Sequence, residues 1–220
     1  MLTALQQRVR SIVAELPEAG TVALAGGGAL IVHGIVDRAT TDLDFFSPDA
    51  VDVRIFAKAT RDALLRDGLS AVTERSNSDF VRLHVDDGND EMSIDIGISG
   101  RAFPPVPTAQ GRLLAVEDLA GDKLLALFGR AEPRDFVDIH ALAARFELAD
   151  LYRFAAEKDP GFGLQHLRDA LGVFDHHPRQ AFPITDSEYE GLRDWVHDWR
   201  IELPANEARS QADPGNSSKE

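Results

Sequence analysis

The sequence predicts an α+β fold: a mixed sheet flanked by helices, followed by an all-helical C-terminal half. Three observations predict it. Apolar runs of strand length alternate with helical repeats through the first hundred or so residues. A glycine run, Gly26-Gly27-Gly28, joins one such run to a helical stretch. From Val116 onward the apolar spacing is helical throughout.

Each element follows from its own pattern. Leu2, Leu5, Val9, Ile12, Val13 and Leu16 are spaced as one face of a helix, which Pro17 and Gly20 end. Thr21 to Ala25 is a short apolar strand, the glycines turn the chain, and Ala29 to Val36 reads as a helix that Gly34 weakens. Asp42 to Ser47 is a second strand. Ser47-Pro48-Asp49 supplies helix-start chemistry for a helix from about Val51 to Asp67. Strands follow at Leu69–Glu74, Phe80–Val85 and Met92–Ile98, with Asp87-Gly88-Asn89-Asp90 as the turn between the last two. Pro104-Pro105 breaks the chain, and Val106 to Leu114 is an extended edge run. Helices then cover Val116 to Gly129, Pro133 to Phe146, Ala149 to Lys158, Leu164 to Phe174 and Asp186 to Ile201. The expected division is an α/β core over 1–110, a helical unit completing a cleft over 111–203, and a disordered tail over 204–220.

Composition narrows the function. The chain has 220 residues, 44% hydrophobic and 27% charged, as in a soluble globular protein. No apolar run approaches the roughly 20 residues that span a bilayer, and the N-terminus lacks a signal-peptide pattern, so a cytoplasmic protein without membrane contact is expected. With no cysteine there is no disulfide framework and no thiolate nucleophile. The net charge of −14 repels a polyanion at long range, so contact with nucleic acid requires a local basic patch. Arg54, Lys58, Arg61 and Arg66, along one helix, are the candidate patch, set against the plainer reading of a solvated face.

The residues that carry chemistry lie in three groups. Gly26, Gly27 and Gly28 allow close approach of a phosphate to backbone N–H groups at a helix start. Neither a P-loop nor a dinucleotide fingerprint is present. Asp42 and Asp44, two apart on a strand, point the same way. Asp95 sits in a similar apolar strand, and if the two strands are neighbours three carboxylates converge. Hard oxygen donors of that kind suit Mg²⁺, completed by substrate phosphates. In the helical half, Lys123 lies beside an apolar stripe, able to reach a triphosphate, with Asp138 able to pair with it. Asp135 suits a helix N-terminus.

Taken together, Gly26-Gly27-Gly28-Ala-Leu and Arg38-x-Thr40-x-Asp42-x-Asp44-Phe resemble the DNA polymerase β-like nucleotidyltransferase superfamily. Asp118-Leu-x-x-x-Lys123-Leu-x-Ala-Leu with Arg134-Asp135-x-x-Asp138-Ile is similar to the AbiEii/AbiGii toxin family, which includes the mycobacterial MenT toxins. The resemblance implies a polymerase β-like core, with Asp42 and Asp44 as Mg²⁺ ligands and Lys123 on the nucleotide. It implies Asp138 as a further essential acid, and Arg38 and Thr40 within the nucleotide-binding stretch. It also implies transfer of a nucleotide from an NTP, often a pyrimidine, to the 3′ end of tRNA, and a cognate antitoxin as partner. Asp95, as third ligand and as base for the attacking hydroxyl, is expected from its strand alone.

Where the superfamily usually has Ser or Thr after the glycine, this chain has Gly28, or Gly27 in the other register. Two other readings stand beside the toxin. One is a nucleotidyltransferase acting on a small molecule of the aminoglycoside type, which an acidic cleft would suit; the other is a non-catalytic relative that binds nucleotide or a partner.

Overall fold

A parallel pair of strands at the middle of the sheet positions everything that follows. The computed structural model describes residues 1–48 and 53–204. Among these residues seven strands form one sheet: β1 (Ala23–Ala25), β2 (Asp42–Ser47), β3 (Ser70–Ser76), β4 (Phe80–Asp86), β5 (Glu91–Ile98), β6 (Val106–Thr108) and β7 (Gly111–Leu113). Their order is β3-β4-β5-β2-β1-β7-β6. β2 runs parallel to β5 and antiparallel to β1, and β3-β4-β5 is an antiparallel meander.

Alternation assigns the two faces. On β4 the odd residues Val81, Leu83 and Val85 are buried, while Phe80, Arg82, His84 and Asp86 are only partly covered. Leu43, Phe45, Ile94 and Ile96 join the buried face. Helices α1 (Ala4–Ala14) and α3 (Val53–Arg66) cover it. The other face is covered only in part. The short α2 (Gly26–Val32) lies on β2 and packs on α4 (Val116–Gly129), which leaves the β3-β4-β5 wing open. Helices α5 (Pro133–Ala143), α6 (Leu148–Lys158), α7 (Leu164–Gly172) and α8 (Asp186–Glu202) complete the helical half. Their core is aromatic: Phe136 meets Phe174 edge-on at 5.2 Å between ring centroids.

Several boundaries move for identifiable reasons. α1 starts at Ala4 rather than Leu2 because Thr3 caps it. The Thr3 hydroxyl accepts from the Gln6 N–H, and the Gln6 side chain accepts from the Thr3 N–H. α2 starts on the glycine turn itself, at Gly26 rather than Ala29, and residues Pro17–Thr21 form a 3-10 turn ahead of β1. The edge run 106–114 is a hairpin, β6 and β7, turned by Gly111 at φ 88°. β7 pairs with β1 at Leu24–Leu113, so the sheet continues beyond residue 110. The start of the helix expected from Val51, and the tail from residue 205, lie outside the described residues. Among the described residues no helix is long and apolar enough to cross a membrane.

Candidate active site

Strand register builds the acidic centre. β2 and β5 pair so that Asp44 lies beside Asp95, with Asp42 beside Ser93. Residues paired across a sheet share a face, so Asp42, Asp44 and Asp95 all lie on the open side. Asp42 accepts a hydrogen bond from the Thr40 hydroxyl at 2.7 Å. The Arg134 guanidinium stands 3.7 Å away on its other side. Asp95 is held by Arg82 of β4, whose Nε and Nη2 donate to its two oxygens at 2.6 and 2.5 Å.

Asp44 carries the clearest sign that the site suits a cation. Burial, and then the neighbouring charge of Asp42, push its carboxyl up to about 7 against the partial relief of Lys123. A divalent cation between these oxygens would remove that penalty. The donors are all carboxylate oxygens, which fits a hard ion completed by phosphate oxygens and water. Among the described residues, the group of three whose ligand atoms all lie within 4.8 Å of one another is instead His84, Asp86 and Glu91, further along the same hairpin, two of them half-buried and Glu91 exposed.

The glycine turn is shaped around Asp44. Gly26 has φ 57°, and a Cβ there would lie 1.8 Å from an Asp44 oxygen. Only glycine permits both that backbone and that approach. Gly27 and Gly28 point in different directions. A Cβ on Gly28 would press into the core at 2.7 Å from Leu43, whereas one on Gly27 would face Arg38 and the Thr40 hydroxyl at 2.9 and 3.2 Å. The site-facing position is therefore Gly27, and the hydroxyl nearest to it belongs to Thr40.

The opposite wall is a buried charge cluster. Lys123 of α4 reaches Asp138 of α5 at 2.8 Å. Arg38 closes on the same carboxylate with two bonds, at 2.7 and 2.6 Å. Burial alone would raise the Asp138 carboxyl, but Lys123 and Arg38 outweigh it and hold it below the ordinary range. Arg38 thus grips Asp138 and the Ala39 carbonyl rather than presenting a free guanidinium. Beside it a groove of about 500 Å³ opens between Thr40, Thr41, Glu132, Arg134 and Pro183. Asp135 takes the helix-start role: it accepts from Glu132 N–H and pairs with Arg130 at 2.9 Å.

The helix α3 patch lies on the far side of the sheet. Lys58 and Arg61 both reach Asp62, at 2.5 and 3.4 Å, and a pocket beside them is walled by Val81 of the buried face. The residue that sequence reasoning missed is Arg82. Its signal was present: the turn Asp87–Asp90 pairs Asp86 with Glu91 and, two pairs back along the same face, Arg82 with Asp95.

Comparison with known proteins gives the same outline. A family model described as nucleotidyl transferase AbiEii toxin, type IV TA system, matches residues 10–195. MenT4, a nucleotidyltransferase toxin from Mycobacterium tuberculosis, is similar in structure with TM-score 0.59 and 18% identity, over 91% of this chain and 82% of that one. JHP933 from Helicobacter pylori is similar with TM-score 0.54 and 18% identity, over 91% and 94%. At such identities the solved structures speak for the fold alone. No curated protein matches the sequence.

Proposed function

The chain belongs to the AbiEii nucleotidyltransferase toxin family, and from that premise we propose that it transfers a nucleoside monophosphate from an NTP to the 3′ hydroxyl of a tRNA. Membership of this family implies an NTP substrate and a cognate antitoxin. The finer reading covers the metal, the acceptor and the roles of individual residues. Mg²⁺ is the ion that Asp42, Asp44 and Asp95 suit, and a pyrimidine NTP is the donor that the family resemblance favours.

The single observation that carries the reading is the Asp44–Asp95 register with Asp42 on the same face, set across from Lys123. When bound between the three carboxylates, Mg²⁺ supplies charge neutralisation for the triphosphate and for the entering and leaving oxygens. Lys123, positioned by Asp138, meets the triphosphate. The groove beside Arg134 takes the rest of the nucleotide, and the backbone N–H groups of the Gly26–Gly28 turn face its phosphates. The acceptor oxygen bonds to the α-phosphorus as the bond to the β-phosphate oxygen breaks, and pyrophosphate leaves. Asp95, beside Asp44 on the neighbouring strand, takes the proton from the attacking hydroxyl. Most of the acceleration comes from placement and charge, as expected for phosphoryl transfer.

The test is incubation of the full chain with total tRNA, Mg²⁺ and each α-labelled NTP in turn. Label is expected in tRNA, removed by 3′ exonuclease, and absent for Asp44→Asn. Failure of all four nucleotides, beside a working nucleotidyltransferase control, would count against the proposal. The net charge of −14 favours one second reading, a small cationic acceptor. Label appearing in an aminoglycoside and never in RNA would select it.

A further inference from the structure

The row of the sheet that holds Asp44 and Asp95 continues outward. It passes through Arg82 on β4 to Arg75 on β3, so one line of paired residues reads Asp44, Asp95, Arg82, Arg75. Like charges set opposite each other on neighbouring strands are destabilising. Here the pairing is the product of an irregularity: β3 shifts register between Thr73 and Arg75. Without that extra residue Glu74 would stand directly opposite Arg82; with it Arg75 takes that place, and the Glu74 charge acts on Arg82 only from beside the row. Bulges re-aim side chains and gather beside active sites. This one replaces an acid with a second arginine.

Both arginines also lie against one ring. The Arg75 and Arg82 guanidinium carbons are 5.7 and 6.0 Å from the Phe80 ring centroid. Phe80 is on the same face, paired with Gly97 one row beyond Asp95. Arg75 is exposed and, among the described residues, shows no ion pair with a carboxylate. In a chain of net charge −14, two adjacent arginines flanking an aromatic ring beside the catalytic acids form a local exception. Arginines that grip phosphate, next to a ring that stacks a base, are how single-stranded nucleic acid is held.

We propose that Arg75, Phe80 and Arg82 form the acceptor platform, which binds a single-stranded RNA 3′ end and presents its hydroxyl to Asp95. The proposal rests on the RNA-acceptor reading above. The donor and acceptor then approach from opposite sides: NTP from the Lys123 and Arg134 wall, RNA along the open β3-β4-β5 wing. Arg82 links the two. Its guanidinium engages both oxygens of Asp95. A phosphate offers a guanidinium the same two-pronged geometry as a carboxylate. Arrival of the RNA lets Arg82 exchange one for the other, and Asp95 is released for metal and proton.

The test measures binding of a fluorescein-labelled RNA with a single-stranded 3′ overhang, beside a blunt duplex of the same sequence, to the full-length chain. Arg75→Glu and Phe80→Leu should each weaken overhang binding about tenfold. Arg75→Lys should stay within about threefold of wild type, and the NTP KM of each variant should not change. Loss of one phosphate contact should lower the salt slope of overhang binding by about 0.7. Equal binding of overhang and duplex, or wild-type overhang affinity in Arg75→Glu and Phe80→Leu, would overturn the platform. The two readings separate cleanly. Overhang binding that depends on Arg75, without any NMP transfer by the wild type, would sink the reaction and leave the platform. Transfer by Arg75→Glu at the wild-type acceptor KM would sink the platform and leave the reaction.

Discussion

Asp138→Asn removes the one anion between two buried cations, Arg38 and Lys123, and keeps the side chain's shape. Asp138 is fully buried, and Arg38 and Lys123 are 6% and 7% exposed. The carboxylate takes two bonds from Arg38 and one contact at 2.8 Å from Lys123. Breaking such a buried pair costs about 3–5 kcal/mol because the partner charges remain without compensation. For a chain of this size each kcal/mol moves the melting temperature by about 2–4 °C, so a fall of roughly 6–20 °C is expected. Lys123→Met should cost less, since the two bonds from Arg38 survive. Adding Lys123→Met to Asp138→Asn should recover part of the loss, with a coupling of about 0.5–3 kcal/mol in the double-mutant cycle. The pH dependence has a definite sign. The folded carboxyl lies below its unfolded value, so the wild type holds this stabilisation above about pH 4 and loses it as pH falls through the lowered value. Asp138→Asn should lack that acid-dependent loss. Thermal and urea unfolding of the four proteins measures all of this. An Asp138→Asn variant within about 1 kcal/mol of wild type, or Lys123→Met costing more than Asp138→Asn, would refute the reasoning.

The metal-free protein should lose stability as pH rises from about 4 to 7. Asp44 stays protonated to about 7 when folded, whereas the unfolded carboxyl ionises near 4. Asp44→Asn should abolish that slope and stabilise the metal-free chain at pH 8 by up to about 4 kcal/mol, a ceiling lowered by the partial exposure of Asp44; urea midpoints in EDTA at pH 4 and 8 decide it, and an unchanged slope contradicts it. Mg²⁺ binding near pH 6.5 should release about three-quarters of a proton, the fraction of Asp44 still protonated there, read by calorimetry in buffers of different ionisation enthalpy; binding without proton release contradicts the Asp44 assignment. Gly26→Ala should abolish Mg²⁺ binding, because its Cβ would overlap an Asp44 oxygen. Gly28→Ala should cost about 1–3 kcal/mol through overpacking against Leu43 and keep transfer per folded molecule. Binding of Mg²⁺ by Gly26→Ala at wild-type affinity would show the turn to be placed wrongly.

The candidate site was legible where a local period or a turn defined it. Alternation set Asp42 and Asp44 on one face, and the apolar neighbours of Asp95 marked a second central strand. Thr3 and Gln6 spelled out a helix cap. Arg82 was readable in principle, because a defined hairpin turn determines every pair behind it. Arg75 was not, since an extra residue inside β3 leaves no mark in Ser-Ala-Val-Thr-Glu-Arg-Ser. The glycine turn hid its phase for a simpler reason: three identical residues do not say which one faces the site. The bond from Arg38 to Asp138 spans 100 residues, and no periodicity reports a contact between a loop and a distant helix. The approach of Lys123 to Asp138 was readable because each lies on a helix whose apolar stripe fixes its direction.

The central claim is that the carboxylates of β2 and β5 direct attack on the α-phosphorus of an NTP. Parallel reactions with NTP labelled at the α- or the γ-phosphate, with tRNA, with and without EDTA, address it directly. Label is expected in tRNA from the α-position only, with γ-label released as pyrophosphate and both lost in EDTA and in Asp42→Asn. Transfer of γ-label to the acceptor, or α-label transfer that survives EDTA and Asp42→Asn, would contradict it.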